Sequence, residues 1–411
     1  MVSQSHLGTS VLSSDVFKYW VIDRSRRQIR ILCQDGRELT EEIALDDPIL
    51  RSEIDLSIVD WENWWVTSQT KQGHLIVAEA YSPLTVDPLH GRPSVYLDQN
   101  HWSTLAQAMF DPSSIKKATE RAAAMDLIVL AQDGGIVLPL SSANVRETAN
   151  LYGAQRYKVG ASIASLSKGW QLRHPLAVWR AEFVRVLAER HSLPTPTTAT
   201  LAVVTLEPHA LLDDDVQAYA MAPDDIQLFS LAMSTPGVIL ELLVHPEKSE
   251  RSDPHSWVTS NEKFAAQLAA SPNTKHEKEQ AAYARAWAEN RSLVEAALTE
   301  LGMGPKGICQ ITDKEIPQLF GRMPALGYFT RLMVMRQVNA SHKWRPNDLT
   351  DLIFLSCAAG YTDYLAAEKH TGTQLKQMLP NGASVHTTLE SLVQKIREDG
   401  VRTAGEKEAS A

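Results

Sequence analysis

Short runs in which apolar and polar residues alternate occupy the first part of the chain. FKYWVID (17–23) and RQIRILC (27–33) flank the polar turn RSRR, and WWVTSQTKQGHLIVAEAY (64–81) turns back on itself around Gln72-Gly73. A period of two, bounded by turn residues, predicts paired half-buried strands. Residues 1–90 are therefore expected to form a small β-rich module, dense in tryptophan (Trp20, Trp61, Trp64, Trp65).

From Ser94 the pattern changes. SVYL is a short apolar strand, followed by a helix through His101 to Met109 that Asp111-Pro112 stops. Ile115, Ala118, Ala122, Met125 and Val129 trace one face of an amphipathic helix that ends at Gly134-Gly135. IVLPL (136–140) predicts a second strand, and the serines of SSANVRETANLYG (141–153) cap a further helix carrying Glu147. Strand, helix, helix, strand, helix is the grammar of an α/β unit with a parallel sheet.

The span 155–340 is mostly helical by pattern, with breaks at TPTT (195–198), LLDDD (211–215) and SDPHS (252–256). Thr274 and Glu277 make a capping box ahead of apolar Tyr283, Trp287, Val294 and Leu298, and Gly302 closes that helix. RPNDLTDLIFLSCAAG (345–360) predicts a helix capped by Asn347 or Asp348 and stopped by Gly360, and YTDYLAAE (361–368) a strand ending in Glu368. The expected organisation is the β-rich module at 1–90, one α/β domain at 91–385 with a helical insertion or lid at about 155–340, and a C-terminal helix with a frayed tail at 386–411.

Composition narrows the classes. A chain of 411 residues with 44% hydrophobic content exceeds one typical domain and supplies a sizeable core. Cys33, Cys309 and Cys357 lie far apart and odd in number, which gives neither a disulfide framework nor a zinc site and fits a reducing cytoplasm. MVSQSHLGTS has no signal-peptide pattern, so a cytoplasmic location is expected. The most apolar stretch, 226–244, is interrupted by Pro236-Gly237 and carries Glu241, so it predicts two buried helical pieces and no membrane span. A formal net charge of -9 opposes non-specific attraction to phosphate backbones, although a local basic channel around an acidic centre is compatible with it.

Acids recur at strand and helix junctions. Asp98 follows the strand SVYL, Glu147 lies near the start of the helix after IVLPL, Asp351 lies one turn into the helix before the last strand, and Glu368 ends that strand. In a parallel sheet, residues just past the strand ends face the crevice where ligands bind. Carboxylates gathered there repel one another unless a divalent cation joins them, and hard oxygen donors suit Mg²⁺ or Mn²⁺. Each acid also has a plain reading: Asp98 and Asp348 as helix caps, Glu147 as a solvated helix carboxylate, Asp363 as a loop residue. An uncompensated Asp351 ahead of LIFLSCAA would be costly in a buried helix.

Three blocks carry a family resemblance. VYLDQNHWSTLA, LPLSSANVRETANL and NDLTDLIFLSCAAGYTDYLAAEK resemble, in that order, the motifs of PIN-domain nucleases: a strand ending in Asp, a serine turn into a helix bearing Glu, and an Asp-led helix followed by a strand and a last acid. The resemblance implies a PIN-like three-layer α/β/α fold with a parallel sheet and a metal-dependent endonuclease, a hydrolase acting on RNA in preference to DNA. It implies Asp98, Glu147 and Asp351 as catalytic metal-binding acids and Glu368 as a fourth ligand, with Asp348 and Asp363 as rivals, Mg²⁺ or Mn²⁺ as cofactor, and Asn100 bracing the Asp98 turn at the substrate side.

Cations stand near these acids in sequence. Lys343 and Arg345, with His342, Arg331 and Arg336, are candidates for holding phosphates, and Trp344 for stacking a base. Arg24, Arg26 and Arg27 beside Phe17, Tyr19 and Trp20 are first solvated hairpin charge, alternatively a second nucleic-acid contact. Two other functions compete. Arg185 and His191 have the Arg-x5-His spacing similar to HEPN ribonucleases, which implies metal-independent cleavage. A catalytically degenerate PIN-like module would bind nucleic acid or a protein regulator without cutting.

Overall fold

The computed structural model describes residues 13–80, 89–207, 209–212, 236–244, 255–304, 311–378, 382–403 and 406. The chain is mixed α/β, and its described residues form a six-stranded antiparallel sheet, a three-stranded parallel sheet and a two-stranded antiparallel pair.

After a single turn, α1 (Ser13–Val16), the first six strands are β1 (Phe17–Asp23), β2 (Gln28–Cys33), β3 (Glu38–Glu42), β4 (Ile54–Asp60), β5 (Trp65–Thr70) and β6 (Leu75–Glu79). They form one antiparallel sheet in the order β3-β2-β1-β4-β5-β6. Both predicted hairpins are present, and Gly73 takes a left-handed φ of +85° at the second. Trp61 is fully buried between Phe17, Trp20 and Trp64, whose rings meet it at tilted or edge angles, so the aromatic density is a satellite core.

The parallel sheet has the order β11-β10-β7, from β7 (Val95–Leu97), β10 (Tyr364–Ala366) and β11 (Ser384–His386). The other edge of β7 meets 136–140, where the Val95 amide donates to the Val137 carbonyl at 2.8 Å. That segment meets β8 (Gln171–Leu172) through a Leu140–Gln171 bridge, and β8 pairs with β9 (Val204–Thr205). The predicted strand IVLPL thus occupies a central place yet makes only isolated bridges, because Pro139 has no N–H to give the ladder.

Side chains alternate across this sheet. Val95, Leu97, Tyr364 and Ala366 enter a core with α2 (Gln99–Phe110), α3 (Ala118–Gln132), α5 (Gly153–Ser167), α7 (Pro236–Val244) and α15 (Leu389–Glu398). Tyr96, Val137, Leu365 and Val385 enter a second core with α6 (Pro175–Arg190), α10 (Arg291–Glu300), α11 (Ile316–Gly321), α12 (Pro324–Val338) and α13 (Asp348–Tyr361), and Trp257 and Val258 of α8 (His255–Ala270) pack against it. Helices from the middle of the chain therefore pack directly on the sheet.

Four expectations need correction. The face predicted for α3 is the outer one: Ala122, Met125 and Val129 are exposed, while Ala123, Ala124, Leu127, Ile128 and Ala131 are buried. Two apolar stripes compete on that helix, and the one with the continuous i, i+3, i+4 contacts faces the core. The helix after Thr274 has its capping box but breaks at Asn290 into α9 (Lys275–Glu289) and α10. Gly360 does not stop α13; it lies inside it, where a Cβ would stand 2.8 Å from the Pro324 carbonyl carbon of α12. Strand β11 went unforeseen, being three residues long and ending in His386.

The LLDDD and SDPHS breaks, the stretch 226–235 and most of the C-terminal tail fall partly or wholly outside the described residues. Among the described residues no helix is long and apolar enough to cross a membrane.

Candidate active site

Between β7 and β10 the strand order reverses: β7 leads through α2 and α3 to 136–140 on one side, and β10 leads to β11 on the other. A parallel sheet opens a crevice at the carboxyl ends of two such strands. Asp98 directly follows β7, and Glu368 stands two residues past β10.

Asp98 is the N-cap of α2, its Oδ1 accepting from the Asn100 amide at 2.8 Å. Its Oδ2 accepts from the Glu368 amide at 3.0 Å, which joins the exits of the two strands. The Asn100 side-chain amide donates to Glu368 Oε1 and holds that carboxylate beside Asp98. Asp98 is thus a cap and a member of the acid group at once, and Asn100 is already engaged in bracing it.

Glu147 is set by the start of α4 (Ser142–Ala149). Ser141 and Asn144 form a reciprocal capping box, and the Ser141 hydroxyl also meets the Tyr96 hydroxyl of β7 at 2.9 Å. The buried Gln99 side chain donates to Thr148 Oγ1 at 2.9 Å and accepts from the Asn144 side-chain amide at 3.4 Å. Gln99 neighbours Asp98 and Thr148 neighbours Glu147, so this network fixes α4 against α2 and one acid against the other.

Asp351 lies in the first turn of α13, half-buried. The rival Asp348 is committed elsewhere: its Oδ1 pairs with the buried Arg336 at 3.2 Å and its Oδ2 accepts from the Arg345 amide at 2.7 Å. The other rival, Asp363, precedes β10, at the opposite end of the strand from Glu368. It accepts from the Ser94 amide and hydroxyl at 2.7 and 2.9 Å and ties the amino ends of β7 and β10 together.

Electrostatics brings the four acids into one group. Burial, then the charges of Asp351, Asp98 and Glu368, push Glu147 up to about 8. Burial, then Asp98, Glu368 and Asp348, push Asp351 up to about 7. Asp98 is also raised, by burial first, with Glu368 adding to it and His101 opposing. Arg146 opposes the rise at Glu147 and Arg336 the rise at Asp351. All four donors are carboxylates, the chemistry that Mg²⁺ or Mn²⁺ accepts and that Zn²⁺ or Cu⁺ sites rarely use alone. Among the described residues, no three His, Cys, Asp or Glu side chains form a preformed ion-binding group.

The remaining candidates separate. Lys343 and Arg345 are exposed beside His342, whereas Trp344 is buried against Trp257 and His342 and has no face free for a base. Arg336 is 1% exposed and bonded to Thr371 and Gln374, a structural cation. In the hairpin turn Arg24 binds the Ile49 carbonyl and Ser57, Arg26 faces Asp23 and Arg27 pairs with Glu42. Arg185 donates to the Arg322 carbonyl at 2.8 Å and faces Glu189, and His191 caps the end of α6.

Sequence reasoning did not single out Gln99, Asn144, Thr148 or Arg146. Gln99 and Thr148 each adjoin a candidate acid, the one signal available. Comparison with protein-family models, with curated proteins and with solved structures finds no match for this chain.

Proposed function

We propose that the protein is a metal-dependent nuclease of PIN-like three-layer architecture that hydrolyses phosphodiester bonds, in RNA in preference to DNA, and acts in the cytoplasm. One observation carries the proposal: at the point where the parallel strand order reverses, the Glu368 amide and the Asn100 side chain hold Asp98 and Glu368 side by side, and burial with the charges of neighbouring acids raises Glu147 to about 8 and Asp351 to about 7. Carboxylates that raise one another in this way are relieved by a proton or by a cation. The three-layer reading is supported by the two cores on the alternating sides of the parallel sheet. The middle helices then form an insertion that packs on both sides of the sheet, α5 and α7 on one and α6 with α10 to α12 on the other.

Mg²⁺ or Mn²⁺, when bound, would supply the positive charge that activates a water and stabilises the leaving oxygen. Asp98, Glu147 and Asp351 would hold it, with Glu368 as fourth donor. The backbone amide of Glu368 and the Asn100 side chain keep Asp98 and Glu368 oriented before substrate arrives. Arg146, exposed at the rim near Thr350, and Lys343 and Arg345 beyond it are the cations available to a substrate phosphate.

The test incubates labelled single-stranded RNA and DNA with Mn²⁺ and compares wild type, Asp98→Asn and wild type in EDTA. Cleavage confined to wild type with metal is expected. Equal cleavage in all three arms ends the carboxylate mechanism; chelator-resistant cleavage of RNA alone redirects attention to Arg185 and His191. Binding without cleavage, unchanged in Asp98→Asn, identifies a degenerate module.

A further inference from the structure

A second charged feature lies away from the acids. A groove of about 700 Å³ opens between α9, α12 and the end of α14 (Lys369–Met378). Lys275, Lys278 and one acid, Glu279, line it from α9 and Arg331 from α12, over a floor that includes Tyr283, Met335 and Val338, so cations outnumber the acid three to one. Lys275 faces Glu279 at 3.8 Å, but neither Lys278 nor Arg331 has a carboxylate partner among the described residues. In a chain of net charge -9, an open groove with surplus positive charge stands against the background.

The lysines are also placed against helix physics. Both sit in the first turn of α9, at the positive end of its dipole, where cations are disfavoured and acids preferred. Such positions fit an anion that approaches from outside better than they fit stability. The apolar floor with one aromatic ring is the complement of a base, and the cations of the phosphates between bases.

Position links the groove to the acids. Helix α14 begins at Lys369, next to Glu368, and ends at Met378, which lines the groove. Ten helical residues span about 15 Å. Along α12, Arg331 faces the groove while Arg336, little more than one turn on, pairs with Asp348 near Asp351.

We propose that this groove anchors a single-stranded polynucleotide whose scissile phosphate lies at the acid cluster, with Lys278 and Arg331 each holding a phosphate. The proposal rests on the nuclease reading for the second half of that statement alone, since anchoring needs no chemistry. It predicts that long strands are held through the groove and that a dinucleotide, too short to reach from one site to the other, is not.

The test uses the full chain carrying Asp98→Asn, in EDTA, with labelled single-stranded RNA and DNA oligonucleotides followed by fluorescence anisotropy over a salt series. Lys278→Glu with Arg331→Glu is expected to weaken binding at least about tenfold and to lower the salt slope by about 1.4, two phosphates at about 0.7 each. Lys278→Arg retains binding, and an unchanged melting temperature shows that substitutions at half-buried Lys278 and exposed Arg331 leave the fold intact. Equal losses for RNA and DNA identify backbone anchoring; a loss for one alone assigns the groove to that polymer. No binding by the parent protein, or unchanged affinity and slope in the double variant, overturns the proposal. So does polyglutamate competing as well as RNA, which would point to an acidic protein segment. This assay measures binding alone, so Mn²⁺-dependent cleavage in the separate cleavage assay, with a silent double variant here, removes the groove and keeps the nuclease. Groove-dependent binding without cleavage does the reverse.

Discussion

Glu147→Gln should stabilise the protein in the absence of divalent metal, and increasingly so as pH rises. Folding raises Glu147 from an ordinary 4.5 to about 8 through burial and the charges of Asp351, Asp98 and Glu368. A carboxyl whose folded value lies above its unfolded one binds its proton more tightly in the folded state. Its contribution is therefore complete below about 4.5 and is lost as pH climbs through about 8. An isolated site with that shift would lose about 4 kcal/mol by a pH near the folded value, at about 1.4 kcal/mol per unit. Asp351 is raised by the same acids, so one repulsion is shared between the two groups, and water reaches the half-buried oxygens, so about 2 kcal/mol remains for Glu147. At ~1–2 °C per kcal/mol for a chain of 411 residues, this is a difference of ~2–4 °C in melting temperature.

The assay is thermal unfolding of wild type and Glu147→Gln in EDTA between about pH 5 and about pH 8, repeated with Mn²⁺. Difference curves are needed because other groups titrate in the opposite sense. Burial lowers His342 and His386 to about 4, so each costs stability as pH falls below the usual imidazole value. Those contributions cancel between the two proteins. In EDTA the variant is expected to gain on wild type steadily with pH. Added Mn²⁺ should raise wild type by ~2.7 kcal/mol at a hundredfold excess over its dissociation constant, and the variant by less. A difference curve flat with pH would mean that Glu147 does not sense the other acids, and the site would fail with it.

Three substitutions separate positioning from chemistry. Gln99→Leu leaves the buried Thr148 and Asn144 side chains short of a partner, at ~1–3 kcal/mol, and lets α4 move against α2; cleavage well below the melting temperature should fall about 100-fold if Glu147 is displaced by an ångström. Gly360→Ala should destabilise by ~1–3 kcal/mol in chemical denaturation, since its methyl meets Pro324 and Ala325 backbone at 2.8 to 3.0 Å. Asp363→Ala should cost ~1–3 kcal/mol by unpairing the Ser94 amide and hydroxyl, with cleavage per folded molecule unchanged; a lost activity in a fully folded protein would return Asp363 to the candidate ligands.

Local signals with a strict period or a cap were legible in the sequence. The β1–β2 and β5–β6 hairpins, the Asp111 stop, the Ser141 turn and the Thr274 capping box depend on neighbouring residues alone. What failed depended on partners distant in the chain. Either stripe of α3 is apolar enough to be buried, and only packing against α2 and α15 chooses one. Trp344 is polar-flanked in SHKWRP yet buried, because Trp257, nearly ninety positions earlier, covers it. Gly360 has the look of a terminator, but its missing side chain serves the close approach of α12.

The choice among acids shows the same division more sharply. From YTDYLAAE alone, Glu368 is the expected ligand and Asp363 its rival, one at each end of a short apolar run. Strand direction separates them: β10 runs parallel to β7, so the residue past its carboxyl end meets Asp98 and the one before its amino end meets Ser94. Asp348 and Asp351 are separated by charge in the same way, since the buried Arg336 needs one counter-ion and takes the nearer. What remains after Asp348 and Asp363 are set aside is Asp351 and Glu147, for which burial and like charges outweigh Arg336 and Arg146, together with Asp98, which accepts from the Glu368 amide, and Glu368, which accepts from the Asn100 side chain. A protein under no functional demand would shed such carboxylates, because Gln or Asn at either raised position keeps the shape and removes the repulsion.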